Sequence, residues 1–213
     1  MFGFAAHVDR IESRLVDALS LSPLPLPPAL SAATGAWKGE SASIAATAWS
    51  GPAIALARFV RLTGAALDIG NVLVVPSPWR DAPIFGVDLV AARPDAGLVV
   101  ADLSPLAYDP GAAPRMDLPE WARSIFSASP VLRRITPSGA PEALEAVDAM
   151  AQEFVARLAG APQLTASADA THAQRRYMEA HRSDERTVTM LANIFGTAWA
   201  TPFVSQVLYP VPA

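Results

Sequence analysis

Five short apolar runs follow one another at hairpin distance between residues 41 and 103, and this constrains the fold more than any other feature. They cover roughly 41–49, 53–62, 67–75, 84–92 and 97–103, and turn-forming residues separate them: Ser50-Gly-Pro52, Gly64, Pro76-Ser-Pro78 and Arg93-Pro-Asp-Ala-Gly97. Parallel neighbours in a sheet need crossovers of roughly a dozen residues or more. These gaps are too short for that, so the spacing predicts an antiparallel meander.

Helical periodicity flanks the meander. Phe4, Val8, Ile11, Leu15 and Leu19 recur every three or four residues and form one apolar stripe. That stripe ends at Ser22-Pro-Leu-Pro-Leu-Pro-Pro28, an extended connector that wraps the domain, because prolines cannot continue a helix. Beyond the meander, Leu144, Val147, Ala151, Phe154 and Leu158 mark a second helix, with Pro141 near its start and Gly160 past its end. Ser183-Asp184 reads as the N-cap of a helix carrying Val188, Leu191, Ile194 and Phe195 and stopped by Gly196. Thr201-Pro202 reads as the start of a last helix. A run of strands followed by a run of helices predicts an α+β chain, one antiparallel sheet covered by helices.

With 213 residues, 52% hydrophobic and 17% charged, the chain can bury a full core, and a single domain over 1–213 is expected. It has no cysteine, which excludes disulfides, thiolate metal sites and a cysteine nucleophile. His7, His172 and His181 are too scattered to suggest a metal centre. The net charge of −4 gives no basic field for nucleic acid. No run of about 18 apolar residues suggests a membrane span. The first residues lack a secretory pattern. A cytoplasmic protein is expected.

The segment Leu67–Val90 holds the informative constellation. If its two strands pair symmetrically about Trp79-Arg80, Asn71 falls opposite Asp88, on a face shared with Ile69, Leu73, Ile84, Gly86 and Val90. A three-residue turn at Pro94-Asp-Ala would bring Asp102 beside Asp88; a two-residue turn would displace it. An aspartate in apolar company at mid-strand is unfavourable unless it is paired, hydrogen-bonded or protonated. Asp88 is then either a structural residue bonded to a turn or to Arg80, or a carboxylic acid kept neutral by its pocket and able to donate a proton near pH 7.

Four stretches resemble one family in order along the chain. PIFGVDLV at 83–90 with VVADLSPL at 99–106 resembles the central signature of the ferredoxin-dependent bilin reductases. LPEWARSIFS at 118–127 resembles their intervening segment, and SDERTVTMLANIFGTAWATPFVSQVLYPV at 183–211 their closing helices. SLSPLPLPPAL at 20–30 sits where members carry a proline-bearing linker. The resemblance implies a three-layer α/β/α sandwich with a central antiparallel β-sheet and a bilin pocket between sheet and C-terminal helices. It implies no bound cofactor, an external reduced [2Fe–2S] ferredoxin as electron donor, and a monomer.

Residue by residue, the resemblance matches Asp88 to the family's central proton-donating aspartate and Asp184 to a second aspartate used near the A-ring. A Ser-Asp pair at a helix start also serves simply as a cap. Asn71 stands where phycocyanobilin-forming members place a histidine, and the His-x-Glu pair that those members carry has no carboxylate counterpart in IALARFVRL at 54–62. The implied activity is reduction of biliverdin IXα at the 15,16 methine bridge, the A-ring or both, to a phytobilin such as phycoerythrobilin. The alternatives are a bilin carrier without turnover and a reductase of another open-chain tetrapyrrole. Arg133 or Arg134 lies near the family's propionate-binding arginine, with Arg58 and Arg61 as further candidates and Asp102 as a further pocket residue. Arg175, Arg176, Arg182 and Arg186 form a local positive group suited to an acidic ferredoxin. Trp79, Trp121 and Trp199 read as core or rim residues.

Overall fold

The computed structural model describes residues 2–106, 125–165 and 167–211. Its centre is an eight-stranded antiparallel sheet. The strands are β1 (Ser22–Pro23), β2 (Ala32–Trp37), β3 (Glu40–Gly51), β4 (Ile54–Gly64), β5 (Leu67–Pro76), β6 (Ile84–Ala91), β7 (Gly97–Ser104) and β8 (Val131–Ile135). From β3 to β8 each strand pairs with the next in sequence, while β1 and β2 share the outer edge of β3. The predicted meander is therefore present, with β1 and β2 added on one side and β8 on the other.

Strand β2 is invisible to propensity. Its sequence AATGAW consists mostly of small, weak strand formers. It pairs because Lys38 and Gly39 both adopt positive φ, at 53° and 85°, which makes a two-residue hairpin joining Trp37 to Glu40. The proline connector does wrap the sheet: Ser22 and Pro23 pair with Ser50 and Trp49, and Leu24 N–H donates to the Ala48 carbonyl at 2.8 Å.

Helices cover both faces. On one side lie α1 (Phe4–Leu19) and, after the short α2 (Pro28–Ser31), the long α3 (Ala140–Gly160). Phe4, Val8, Ile11 and Leu15 of α1 pack with Val147, Phe154 and Leu158 of α3 against Phe59, Val72, Val74, Phe85 and Val87. Burying each such side chain contributes about 1.5–3 kcal/mol relative to exposure. On the other side α4 (Ala168–Arg182), α5 (Glu185–Phe195) and α6 (Thr197–Phe203) cover Ile44, Val60, Leu62, Ile69 and Leu73. The expected α/β/α layering follows. Strand β5, covered on both faces, is buried along its whole length.

Two expectations change. Thr201-Pro202 does not begin a helix. The helix starts at Thr197, Pro202 lies inside it, and the chain widens into a π-turn over Val204–Leu208. A proline inside a helix has no N–H to give and crowds the carbonyl four residues back, and a local widening relieves that crowding. The β6–β7 turn also closes one residue earlier than Pro94-Asp-Ala predicts. Asp102 pairs with Gly86, and Val100 takes the place opposite Asp88. Arg93 holds the Asp95 carboxylate across this turn, and Pro94 between them has its φ restricted.

The start of α1 is capped from a distance. Gly3 at its N-cap offers no side chain. Instead the buried Asp68 of β5 accepts from Gly3 N at 2.7 Å, Phe4 N at 3.1 Å and Ala5 N at 3.0 Å. A carboxylate at a helix N-terminus satisfies orphan donors and complements the dipole. Asp68→Ala is expected to lower stability by about 2–3 kcal/mol, read as a fall in melting temperature, because a cap and several charge-assisted bonds disappear together.

Candidate functional site

The site is built on the sheet face beneath α4 to α6. Alternation places Arg58, Asn71, Asp88 and Asp102 on this one face, with Asn71 directly opposite Asp88 as the hairpin symmetry predicts. The hairpin tip is held by the chain after α3: Trp79 and Leu164 pair at 2.8 Å, and Asp81 N–H meets the Pro162 carbonyl at 3.1 Å. These bonds tie down the tip of the hairpin that carries Asp88.

A chain of hydrogen bonds runs along the face. Arg58 Nη1 donates to Oδ1 of Asn71, and Nδ2 of Asn71 donates to Oδ1 of Asp88. Arg58 is wholly buried, and its Nε and Nη2 have no hydrogen-bond partner among the described residues. Its guanidinium carbon lies 5.7 Å from the Tyr209 ring centre. Desolvation weakens Arg58's hold on its proton, but a guanidinium remains charged in protein.

Asp88 itself is partly buried. Burial pushes its carboxyl above the usual range, opposed by the Asn71 amide and the Arg58 cation, with Asp184 adding a smaller upward push. The roof above it is aromatic. His181 lies 4.5 Å from Tyr177 and stacks at 4.7 Å on Tyr209. Burial, with Arg58 nearby, lowers His181 to about 3, so its imidazole is neutral. Burial raises both phenols, so Tyr177 and Tyr209 keep their protons. Tyr177 reaches the sheet because Gly86 has no side chain; any Cβ there would run into the phenol oxygen. Arg182 fixes Tyr209 from α4, donating to the Tyr209 carbonyl at 2.7 Å and also to that of Ser205.

The remaining expected site residues separate. Asp184 caps α5, accepting from Arg186 N–H at 3.2 Å, and Arg186 also forks onto its carboxylate at 2.7 Å. That fork holds Asp184 below the usual carboxylate range. Asp102 accepts from Ser104 Oγ at 2.7 Å, from Ser127 N–H at 2.9 Å and from Ser127 Oγ, so it ties residue 127 to β7. Arg61 points to the opposite face and holds Asp9, at 2.6 Å, and Glu12 of α1. Arg133 also lies on the opposite face and meets Glu142 of α3 at 2.8 Å. Of the four arginines expected to hold propionates, Arg134 alone is both exposed and on the face of Asp88. In the positive group, Arg182 and Arg186 are engaged inside the molecule as described. Trp199 stacks on Phe203 at 4.4 Å, Trp79 is 48% exposed at the hairpin tip, and Trp121 lies outside the described residues, as do 118–124 of the intervening segment.

Sequence reasoning missed Tyr177, His181 and Tyr209. The spacing of Tyr177 and His181, one helical turn apart, was a usable signal for a shared face. Nothing local links Tyr209 to them. Among the described residues no cluster of His, Cys, Asp or Glu is suited to a metal ion. No helix among them is long and apolar enough to cross a membrane.

Comparison with known proteins adds identity to this geometry. The family described as ferredoxin-dependent bilin reductase matches residues 8–116 and 108–210. The chain is 28% identical to phycocyanobilin:ferredoxin oxidoreductase of Gloeobacter violaceus, over 96% of this chain and 90% of that protein. It is 25% identical to phycoerythrobilin:ferredoxin oxidoreductase of the same organism, over 97% and 94%. In three dimensions it resembles tomato phytochromobilin synthase, solved in complex with biliverdin, with a TM-score of 0.84 over 97% of this chain and 82% of that chain, at 16% identity. Matched along nearly its whole length, and carrying a partly buried acid on an antiparallel sheet beneath its C-terminal helices, the chain belongs to the ferredoxin-dependent bilin reductases.

Proposed function

We propose that the substrate is biliverdin IXα, reduced at the 15,16 methine bridge, the A-ring or both, to a phytobilin such as phycoerythrobilin. The observation that carries this is Asp88: a carboxyl pushed toward its neutral form on the face covered by the C-terminal helices. Reduced [2Fe–2S] ferredoxin delivers one electron at a time. Reducing one double bond takes two electrons and two protons, so the enzyme holds an odd-electron pigment between transfers. Where the protons arrive then decides which bond is reduced.

The strand next to Asn71 supports the regiochemistry. The site-facing residues of β4 are Leu56, Arg58, Val60 and Leu62, with no acid among them. A second carboxylic acid for the D-ring vinyl group is therefore missing where phycocyanobilin-forming relatives of this family carry one. Asp88 is the first proton donor in this reading. Asp184 is the second, and acts once the pigment displaces the Arg186 fork that keeps it ionised. Asparagine caps a helix about as well as aspartate, so Asp184→Asn isolates the chemistry from the cap. The expected result is a normal melting temperature with a changed product pattern on chromatography.

Arg134 is the propionate clamp in this reading. It sits two strands from Asp88, about 10 Å across the sheet, within the span of a linear tetrapyrrole. Arg134→Ala is expected to weaken pigment binding about tenfold or more, the scale of one charge-assisted bond. Arg133→Ala, on the other face, should leave binding unchanged. Pigment titration by absorbance checks both.

The decisive experiment is anaerobic: protein, biliverdin IXα, ferredoxin and a reducing system, followed by absorption spectra and product chromatography. A blue-shifted, identified phytobilin supports the proposal. Bound but unchanged pigment, while a known bilin reductase turns over in a parallel reaction with the same ferredoxin and reductant, would replace it with the carrier reading.

A further inference from the structure

We propose that Arg58 is a positioning residue: by donating to Oδ1 of Asn71 it locks that amide with its NH2 toward Oδ1 of Asp88, and so places the transferable proton of Asp88 on Oδ2. This rests on the reading of Asp88 as proton donor and adds which oxygen carries the proton and what decides it.

The logic is one of donors and acceptors. A guanidinium can only donate. The Asn71 atom facing it must therefore be the carbonyl oxygen, as found. The other end of the amide is then the NH2 group, and it faces Oδ1 of Asp88. A carboxyl oxygen receiving an N–H favours the bare form, so the proton of neutral Asp88 belongs on Oδ2. No hydrogen bond from the described residues reaches Oδ2. The depth of Arg58 makes the lock firm: at 0% exposure its guanidinium has no water to turn to, and Nη1 has Asn71 as its partner. Truncating either partner would strand a buried polar group.

A second consequence concerns reloading. Neither an arginine nor an amide side chain passes protons under ordinary conditions, so Asp88 cannot be recharged through β4 and β5. The groups around it on the other sides are Tyr177 and His181 on α4, Asp184 at the head of α5, Tyr209 after the π-turn, and Asp102 on β7, which sits beside Gly86 and is occupied by Ser104 and Ser127. The proton must return from the pocket side, past the aromatic roof or from solvent.

Two variants and two readouts test this. Arg58→Met removes the cation and frees the amide to turn over. Asn71→Asp keeps the size, gives Arg58 a full ion-pair partner, and presents Asp88 with a second carboxylate in place of an N–H. In both, the Asp88 carboxyl should hold its proton to higher pH, because an attractive contact is lost or a like charge is added. The first readout needs no turnover: the infrared band of the protonated carboxyl, followed against pH in pigment-free protein and assigned by its loss in Asp88→Asn. The second is the pH profile of single-turnover reduction. An acid donor works below its own pKa, so the alkaline limb should move up in both variants, with a rate about tenfold lower or more from misplacement of the donor. Arg58→Lys, which retains a donating cation, should return part of the rate.

An unmoved infrared titration in both variants would overturn the relay even if the enzyme reduces bilins normally. A moved infrared titration without turnover in the wild-type protein would leave the relay standing and overturn the reductase reading. If Arg58→Met fails to fold, Asn71→Asp carries the test alone.

Discussion

Asp88→Asn is expected to bind the pigment within about threefold of wild type and to reduce it about 10²–10⁴ times more slowly, the usual contribution of a positioned acid. The substitution keeps the size of the side chain and leaves an amide able to meet Nδ2 of Asn71 through its carbonyl, so the face beneath α4 to α6 should keep its shape. In the proposed reading, what disappears is the proton of the first donor. Electron delivery is unaffected, so the odd-electron pigment should accumulate and show by electron paramagnetic resonance. A variant that turns over at the wild-type rate would remove Asp88 as donor. The sign of the pH effect follows from the same chemistry. Asp88 has its folded pKa raised by burial. Its protonated form is present at low pH and is lost as pH rises through that raised value, and the proposed proton donation is expected to follow it. For the same reason its contribution to stability is present below the ordinary carboxylate pKa and is lost as pH rises through the folded one.

The second large effect belongs to the opposite face of the sheet. Phe154 is fully buried on α3 and stacks on Phe85 of β6 at 5.6 Å. Phe154→Ala is expected to lower stability by about 3–5 kcal/mol, since it removes a large transfer term and leaves a cavity. For a chain of this size that corresponds to a fall in melting temperature on the order of 10 °C. Pigment affinity and the rate per folded molecule should stay near wild type below that temperature, because Phe85 and Asp88 point to opposite faces of β6. Measured together, Asp88→Asn and Phe154→Ala separate chemistry from packing across the thickness of one sheet. Loss of turnover in Phe154→Ala at temperatures where it is folded would show that the two faces are coupled.

Proline and alternation made one part of the molecule legible from sequence. The pairing of Asn71 with Asp88 could be read because Pro76 and Pro83 bracket a symmetric hairpin, and because side chains alternate strictly in a strand. The stripe of α1, the stripe of α3 and the cap at Asp184 were legible for the same kind of reason: each is a pattern within a few turns of chain. Strand β2 was not legible, because residues such as Ala32, Ala33 and Gly35 carry no β preference and become strand by pairing with β3.

Contacts remote in sequence were decided by the tertiary structure alone. Asp68 caps a helix that begins 64 residues before it, and no local pattern announces that bond. The arginines show the same division. Alternation alone says that Arg58 and Arg61 of β4 face opposite ways, but not which helices lie over each face. The fold puts α1 over Arg61, where Asp9 and Glu12 neutralise it, and puts Arg58 in a dry space where Asn71 is its hydrogen-bond acceptor. Tyr177, His181 and Tyr209 likewise become a roof only when α4 and the chain after the π-turn meet above Gly86. Sequence by itself determined the order of the five central meander strands and the β5–β6 register that sets Asn71 opposite Asp88, because periodicity and turn chemistry act over short stretches of chain. The tertiary structure decided the protonation bias of that acid and the fate of each arginine, because burial and charge pairing depend on which distant segments share the same few ångströms.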